Sequence, residues 1–355
     1  MLVTSVHFLF VIFIIMLSLV VVLAIIVLIY NIIEYNQSAR LAGWSQIINK
    51  KISDVIVYGD DELPEDAYFN TLARNPSFRN LFLQKLVDSE KKFSGAAKNK
   101  IKDLFREYDL QKEAIKKLNQ KKKHLIARGI HELTVMDAKE AVPQIDTFLS
   151  HPSVQVYQEA QYAMVRFKGF EGLHFLDNFS SKISEWQQLR LLLSISSLPS
   201  DSEATIGKWL ESSNNTVVIF TLKLIKKFQL LSFYSSVLEL LHTASVEVRV
   251  KAVQTLMSLE NPQMIEYLSG VYYDQPDEVR IEILRVIKIS KDQCCTDMLK
   301  QQLSETDAVS GIKVNAAQAL FTLGHGEYLS ELARNEDASE ELVQIIKYAL
   351  QEKVC

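Results

Sequence analysis

One spacing constrains this chain more than any other: an apolar triplet, its members four residues apart, that returns about every 31 residues. Its clearest copy is Val248, Ala252 and Leu256. Residues four apart share one face of a helix, so each copy predicts the inward stripe of one helix. The leading members are Leu125, Val156, Gln187, Val218, Val248, Val279, Ile312 and Leu342, separated by 31, 31, 31, 30, 31, 33 and 30 residues. Of the 24 positions so defined, Gln187 and Lys226 alone are neither apolar nor glycine, whereas a chain that is 48% hydrophobic fills about half of them by chance. A fixed period of this length denotes a helical repeat, whose units bury their apolar faces only against one another.

The stretches between triplets fit that layout. A shorter first helix, such as the one carrying Val237, Leu240 and Leu241, precedes each triplet helix. Pro152, Pro262 and Pro276 fall at or near expected helix starts, Pro199 falls between units, and Gly324 with Gly326 supplies a stop after Leu323. The last triplet, Leu342, Ile346 and Leu350, is flanked by Glu on its other faces, as a terminal cap requires. No central strand pattern of matching strength occurs, so the expected fold class is all-α.

Ahead of the repeat, residues 8–30 carry no charge, and only Ser18 and Tyr30 among them are polar. As a helix these 23 residues are roughly 35 Å long, enough to cross a bilayer. A cleavable signal would need a basic start, a shorter apolar run and a small-residue cleavage site, all of which are missing. No Lys or Arg precedes the segment, while Arg40, Lys50 and Lys51 follow it, which predicts an outer N-terminus and a cytosolic body. Cys294, Cys295 and Cys355 are few, odd in number and partly adjacent, which suits a reducing compartment.

Leu41, Trp44, Ile48, Ile52 and Val55 then follow at helical spacing. This amphipathic helix either prolongs the membrane helix and packs on the body, the reading favoured here, or lies on the lipid with Trp44 at headgroup depth. Gly59 and the acids after it are expected to end it, with a new helix at Pro64, and Asn75-Pro76 starts another of about 17 residues, to Phe93. From Lys85 to Arg128 there are 14 Lys or Arg against 6 Asp or Glu. This basic collar attracts anionic headgroups or an acidic partner, or else is an ordinary solvated helix face, the favoured reading. The membrane-surface candidates are Trp44, Lys50, Lys51, Lys116, Lys117, Lys121, Lys122 and Lys123. Nucleic-acid binding is not expected: the lysines are not interleaved with aromatics, and the chain carries a formal charge of −4.

Val248, Arg249, Ala252 and Leu256, with Val279, Arg280 and with Ile312, Lys313, Ala316, Ala317, Ala319 and Leu320, resemble HEAT repeats over residues 119–353. The resemblance implies a right-handed α-solenoid of helical hairpins. A narrower likeness rests on Phe93, Ser94, Gly95, Ala96, Ala97, Ala127, Gly129, Ile130, Glu132 and Leu133. It is to bacterial membrane-anchored HEAT proteins often encoded beside processive glycosyltransferases of envelope polysaccharide synthesis, and it implies a place in such a complex at the inner membrane. The expected domains are an anchor, 1–33, a juxtamembrane helical region, 34–118, and the solenoid, 119–355.

Catalytic signatures are lacking. His124 and His131 share a helix face without further ligands, Cys294 and Cys295 are adjacent instead of spaced as CxxC, and no phosphate loop, GxSxG elbow or HExxH helix occurs. No cofactor or metal is expected. Solenoids work through extended concave surfaces, which directs attention to the residues just after the triplet leaders. That row includes Tyr157, Gln188, Arg249, Arg280 and Lys313, with Arg285 and Lys288 nearby. Two interpretations stand side by side: a docking stripe for an acidic segment of a partner, or arginines that tie successive repeats together. The functional expectation is a membrane-anchored, non-catalytic scaffold for a protein partner. The alternative is an enzyme or accessory like the HEAT-like chromophore lyases, with Tyr157, Trp186 and Trp209 lining a ligand pocket.

Overall fold

The computed structural model describes residues 2–58, 66–305, 308–335 and 338–351, and among them all regular structure is helical. The expected helix break at Gly59 and restart at Pro64 lie outside the described residues, as does Cys355. By internal packing the chain forms two compact units, Met1–Phe167 and Lys168–Cys355.

In the first unit, α1 (Leu2–Tyr58) is one unbroken helix of 57 residues. Residues 10–43 are exposed along its length, apolar side chains included, whereas Ile48, Ile52 and Val55 are buried. Trp44 marks the change, meeting Phe78 edge-on at 5.6 Å with the Arg40 guanidinium stacked on its ring. The amphipathic segment therefore packs on the body as a direct continuation of the apolar one. After α2 (Ala67–Leu72), α3 (Pro76–Glu90) starts where expected, with Asn75 Oδ1 accepting from the Ser77 and Phe78 amides and Pro76 in the first turn. It ends three residues short of the expected Phe93. Gly95, at φ +60° and ψ −135°, then turns the chain into α4 (Ala96–Glu107), a conformation open almost only to glycine.

α1, α3 and α4 pack together around Phe69, Phe78, Phe82 and Tyr108, which meet edge-on at 5.2–5.4 Å except for the Phe78–Phe82 pair. α5 (Gln111–Leu118) and α6 (Lys123–Val135) form the closest helix pair of this unit, and α7 (Val142–Asp146) and α8 (Val154–Lys168) complete it.

The second unit is an array of hairpins. Its inner helices are α9 (Glu185–Ser194), α11 (Asn215–Phe228), α13 (Val246–Ser258), α15 (Asp277–Ser290), α17 (Ser310–Thr322) and α19 (Glu340–Gln351), each packed on the next. Between them α10 (Ser202–Leu210), α12 (Tyr234–Thr243), α14 (Met264–Gly270), α16 (Thr296–Ser304) and α18 (Gly326–Arg334) each pack on the inner helix that follows. Gly324, at φ +93°, ends α17 by letting the His325 amide turn back to Leu320 O at 2.9 Å.

Of the 24 triplet positions all are buried except Leu125, Lys226, Leu342 and Leu350. Leu342 and Leu350 belong to α19, the last helix among the described residues. Lys226 exposes a one-residue error of register in α11. The buried column there is Val217, Thr221 and Ile225, each 0% exposed. A count of apolar residues does not separate this column from Val218, Leu222 and Lys226, since each holds two apolar residues and one polar; the Thr221 hydroxyl donates to Val217 O at 2.9 Å, so its burial costs little.

At Gly129 α6 lies close against α5: a Cβ there would lie 2.7 Å from Ala114 O, a backbone atom that cannot step aside. Gly129→Ala is expected to lower the unfolding free energy of the detergent-solubilised chain by about 1–3 kcal/mol, as overpacked cores do. Gly43→Ala, on an exposed turn of α1 with nothing within 4 Å of its Cβ, should leave the melting temperature unchanged or slightly raised.

Candidate functional site

The row just after the triplet leaders is largely inside the protein. Gln188 and Lys313 are buried, and Tyr157, Arg249 and Arg280 are partly so. Arg249 donates through Nε to Ala244 O at 2.7 Å and through Nη2 to His242 O at 3.1 Å, which caps the end of α12. Its Nη1 reaches Gln275 of the following unit at 3.3 Å.

Arg280 is held more tightly. Its guanidinium lies over the Tyr272 ring at 4.8 Å and donates from Nη2 to Gln302 Oε1 at 2.8 Å, with Asp277 at 3.4 Å and Glu305 at 3.9 Å. The Tyr272 hydroxyl donates to the same Gln302 oxygen at 3.0 Å, and burial pushes its pKa to about 12, against the pull of Arg280. The contacts to Gln275, Gln302 and Glu305 cross from one unit to the next, while those to Ala244, His242 and Asp277 stay within one.

The open face of the inner helices lies about six residues after each buried leader. On it, Lys223 donates to Gln188 Oε1 at 2.8 Å and Lys288 to Gln318 Oε1 at 3.1 Å. Glu282 accepts from Gln254 at 2.9 Å and from Arg285 at 3.0 Å. Arg285 and Lys288 thus belong to the open face, and Arg249, Arg280 and Lys313 to the seam between units. The three aromatics suggested as pocket walls do not share one environment. Trp209 is buried with its indole N–H donating to Asp177 at 2.7 Å, while Trp186 is 72% exposed.

In the first unit the collar lysines divide. Lys50, Lys116, Lys121, Lys122 and Lys123 are exposed, and Lys51 is partly buried. Lys117 turns inward onto the buried Glu132 at 2.6 Å, alongside Arg128, and burial holds its ammonium below the usual lysine range against the pull of Glu132. It is a structural cation. His131 sits 3.7 Å from Glu159, His124 is exposed, and no group of three or more His, Cys, Asp or Glu able to hold a metal occurs among the described residues. Cys294 and Cys295 bring their sulfurs to 3.5 Å, and burial pushes the Cys295 thiol up to about 12, which suppresses its thiolate. A surface hollow of about 260 Å³ is lined by Phe105, Arg106, Asp137, Lys139 and Glu140 among others.

No family model matches the chain, and no curated protein matches it. Among solved structures it is similar to an engineered protein, 15% identical over 79% of this chain and 87% of that one, with a TM-score of 0.34. Human deoxyhypusine hydroxylase in complex with glycerol is 15% identical over 87% of this chain and 96% of that one, at 0.29. Importin beta is 12% identical over 88% of this chain and 55% of that one, at 0.34. Superpositions this loose carry no functional argument, and the array of hairpins stands on the packing described above.

Arg280→Ala removes one of the two donors to Gln302 Oε1 and the cation stacked on Tyr272 and Tyr273 and should lower the unfolding free energy by about 2 kcal/mol in denaturant titration, whereas Arg285→Ala, at an exposed side chain whose partner Glu282 keeps its bond from Gln254, should change it by less than about 0.5 kcal/mol. Burial pushes the Glu113 carboxyl up, but hydrogen bonds and charge from Arg79 and Lys116 outweigh it and hold the group below its ordinary 4.5. Its contribution to stability is therefore complete above pH 4.5 and is lost as pH falls through the lower folded value. Glu113→Gln should flatten the melting temperature against pH below 4.5.

Proposed function

We propose that this chain is a single-pass membrane scaffold whose body recruits or steadies a protein partner at the cytosolic face, without chemistry of its own. One observation carries the reading: α1 is exposed and apolar over its first half and is built into a packed core by its second. Its apolar part is long and apolar enough to cross a membrane, with a mean hydropathy of 3.6 in its best window. Apolar surface of that extent needs cover that the chain itself does not supply. A bilayer supplies it, with the N-terminus outside and an array of right-handed HEAT-like hairpins on the cytosolic side. Anchoring raises the effective concentration toward any partner in the same membrane. A glycosyltransferase of envelope polysaccharide synthesis is the first candidate, on the narrower resemblance.

On this reading α1 also sets the height of the collar. Trp44, the first residue to touch the body, lies 14 residues past Tyr30, about 21 Å along the helix. Lys100 donates to Ile56 O at 3.0 Å, a further 12 residues on, so that part of the collar is held about 39 Å from the apolar segment. Screening at physiological salt takes effect within about 8 Å. That length supports a solvated face around Lys98–Lys102 over a lipid-binding one.

Two measurements test the proposal. The chain should stay in the pellet when membranes are washed at alkaline pH, and release into the supernatant would remove the anchor. Replacing four apolar residues between 14 and 26 by Lys should release it.

A further inference from the structure

The open face of α9 is unlike that of the other inner helices. Trp186, Leu189 and Leu193 are 72, 45 and 72% exposed, in a protein whose other inner-helix faces are mainly polar or charged in the middle. Their spacing of three and four residues makes one continuous stripe, the a/d seam with which one helix receives another. Scattered exposed apolar side chains are ordinary, but a stripe of three large ones on one helix marks an interaction face.

The neighbouring helix supplies a charged flank. α11 packs on α9, with Lys223 bonded to Gln188, and about one turn further along Lys226 is exposed. Burial lowers the Lys223 pKa, and of the charges near it Glu185 acts more strongly than Lys251 of α13, the first raising and the second lowering it. Lys251 is thus a second cation close to Lys223 on this surface. Glu185 partly offsets Lys223, and Glu247 and Glu278 sit apart, in the first turns of α13 and α15.

We infer that α9 and α11 form a docking face for an amphipathic, acidic helix of a partner protein, its apolar stripe on Trp186, Leu189 and Leu193 and its carboxylates toward Lys223, Lys226 and Lys251. The inference rests on the scaffold reading and deepens it by naming the face and the chemistry of its occupant. The apolar stripe provides the anchor and the flanking lysines choose the sign of the partner, the division of labour of helix-in-groove recognition.

The test uses the full chain in lipid nanodiscs and three fluorescent peptides of about 18 residues, long enough to be helical when bound. One carries a Leu stripe with Glu flanks, the second the same stripe with Lys flanks, and the third Glu flanks with the stripe changed to Ala. Anisotropy should show the first binding at least about tenfold more tightly than the other two, and weakening with salt. Leu189→Glu should abolish that binding. The Lys226→Glu, Lys251→Glu double variant should weaken it about tenfold at unchanged melting temperature, and Lys182→Glu, on an exposed loop, should leave it as it was.

Equal binding of the Lys-flanked peptide, or indifference to Leu189→Glu, overturns the inference. Photo-crosslinking in cells from a benzophenone at position 189 and, separately, at position 208 on α10 separates this failure from that of the scaffold reading. A protein adduct from 208 with none from 189 overturns the docking face alone. Adducts from neither, with the chain folded and in the membrane, overturn the scaffold as well.

Discussion

A helical hairpin of this size has more apolar surface than it can cover by folding on itself, and the second unit answers that constraint the same way five times. Each inner helix presents a column of residues spaced by four, and the next inner helix closes over it. Val248, Ala252 and Leu256 on α13 and Val279, Ile283 and Ile287 on α15 are all within 1% of complete burial. The polar groups that this stacking draws inward are paired at the seams: Arg249 on the carbonyls that end α12, Arg280 among Tyr272, Gln302 and Glu305. The seams are therefore a by-product of the column. Once its spacing is set, the residue after each leader has nowhere to go but between units, and charge can be kept there only if it finds partners.

Most of that architecture was legible before any coordinates, because a period of 31 residues is a statement about packing and burial followed it. Two places were not, and both are polar. In α11 the buried column is Val217, Thr221 and Ile225, one residue before Val218, Leu222 and Lys226, and a count of apolar residues, two in each, does not choose between them. For the row after the leaders, sequence left a docking stripe and a tie between repeats side by side, because one residue turns a helical position by about 100°, enough to carry a side chain from a groove into a joint. The stripe on α9 left a signal that went unused: Trp186, Leu189 and Leu193 are apolar residues that fall off the triplet face, in the unit whose leader, Gln187, is polar. For the collar, sequence counted charges but could not separate Lys117, turned onto Glu132, from Lys121, Lys122 and Lys123, which face water.

The passage from apolar segment to body was left open between two geometries, and the continuous helix has a local reason. No proline occurs before Pro64, and Gly43, the first glycine, lies one residue short of Trp44, where packing begins. With no residue to break it, the helix runs on until the body takes over its support.

That continuity makes α1 an axle. A flexible linker of the same length would let the body wander and would forgive a change in length, but a helix couples distance to angle. With the apolar half fixed by its surroundings, removing one residue between Tyr30 and Trp44 draws the body in by about 1.5 Å and also swings it through about 100°. Removing seven draws it in by about 10 Å and returns it to within about 20° of its starting direction. On the proposed membrane reading, the side of the first unit that faces a neighbour is thereby written into the length of an exposed stretch of helix.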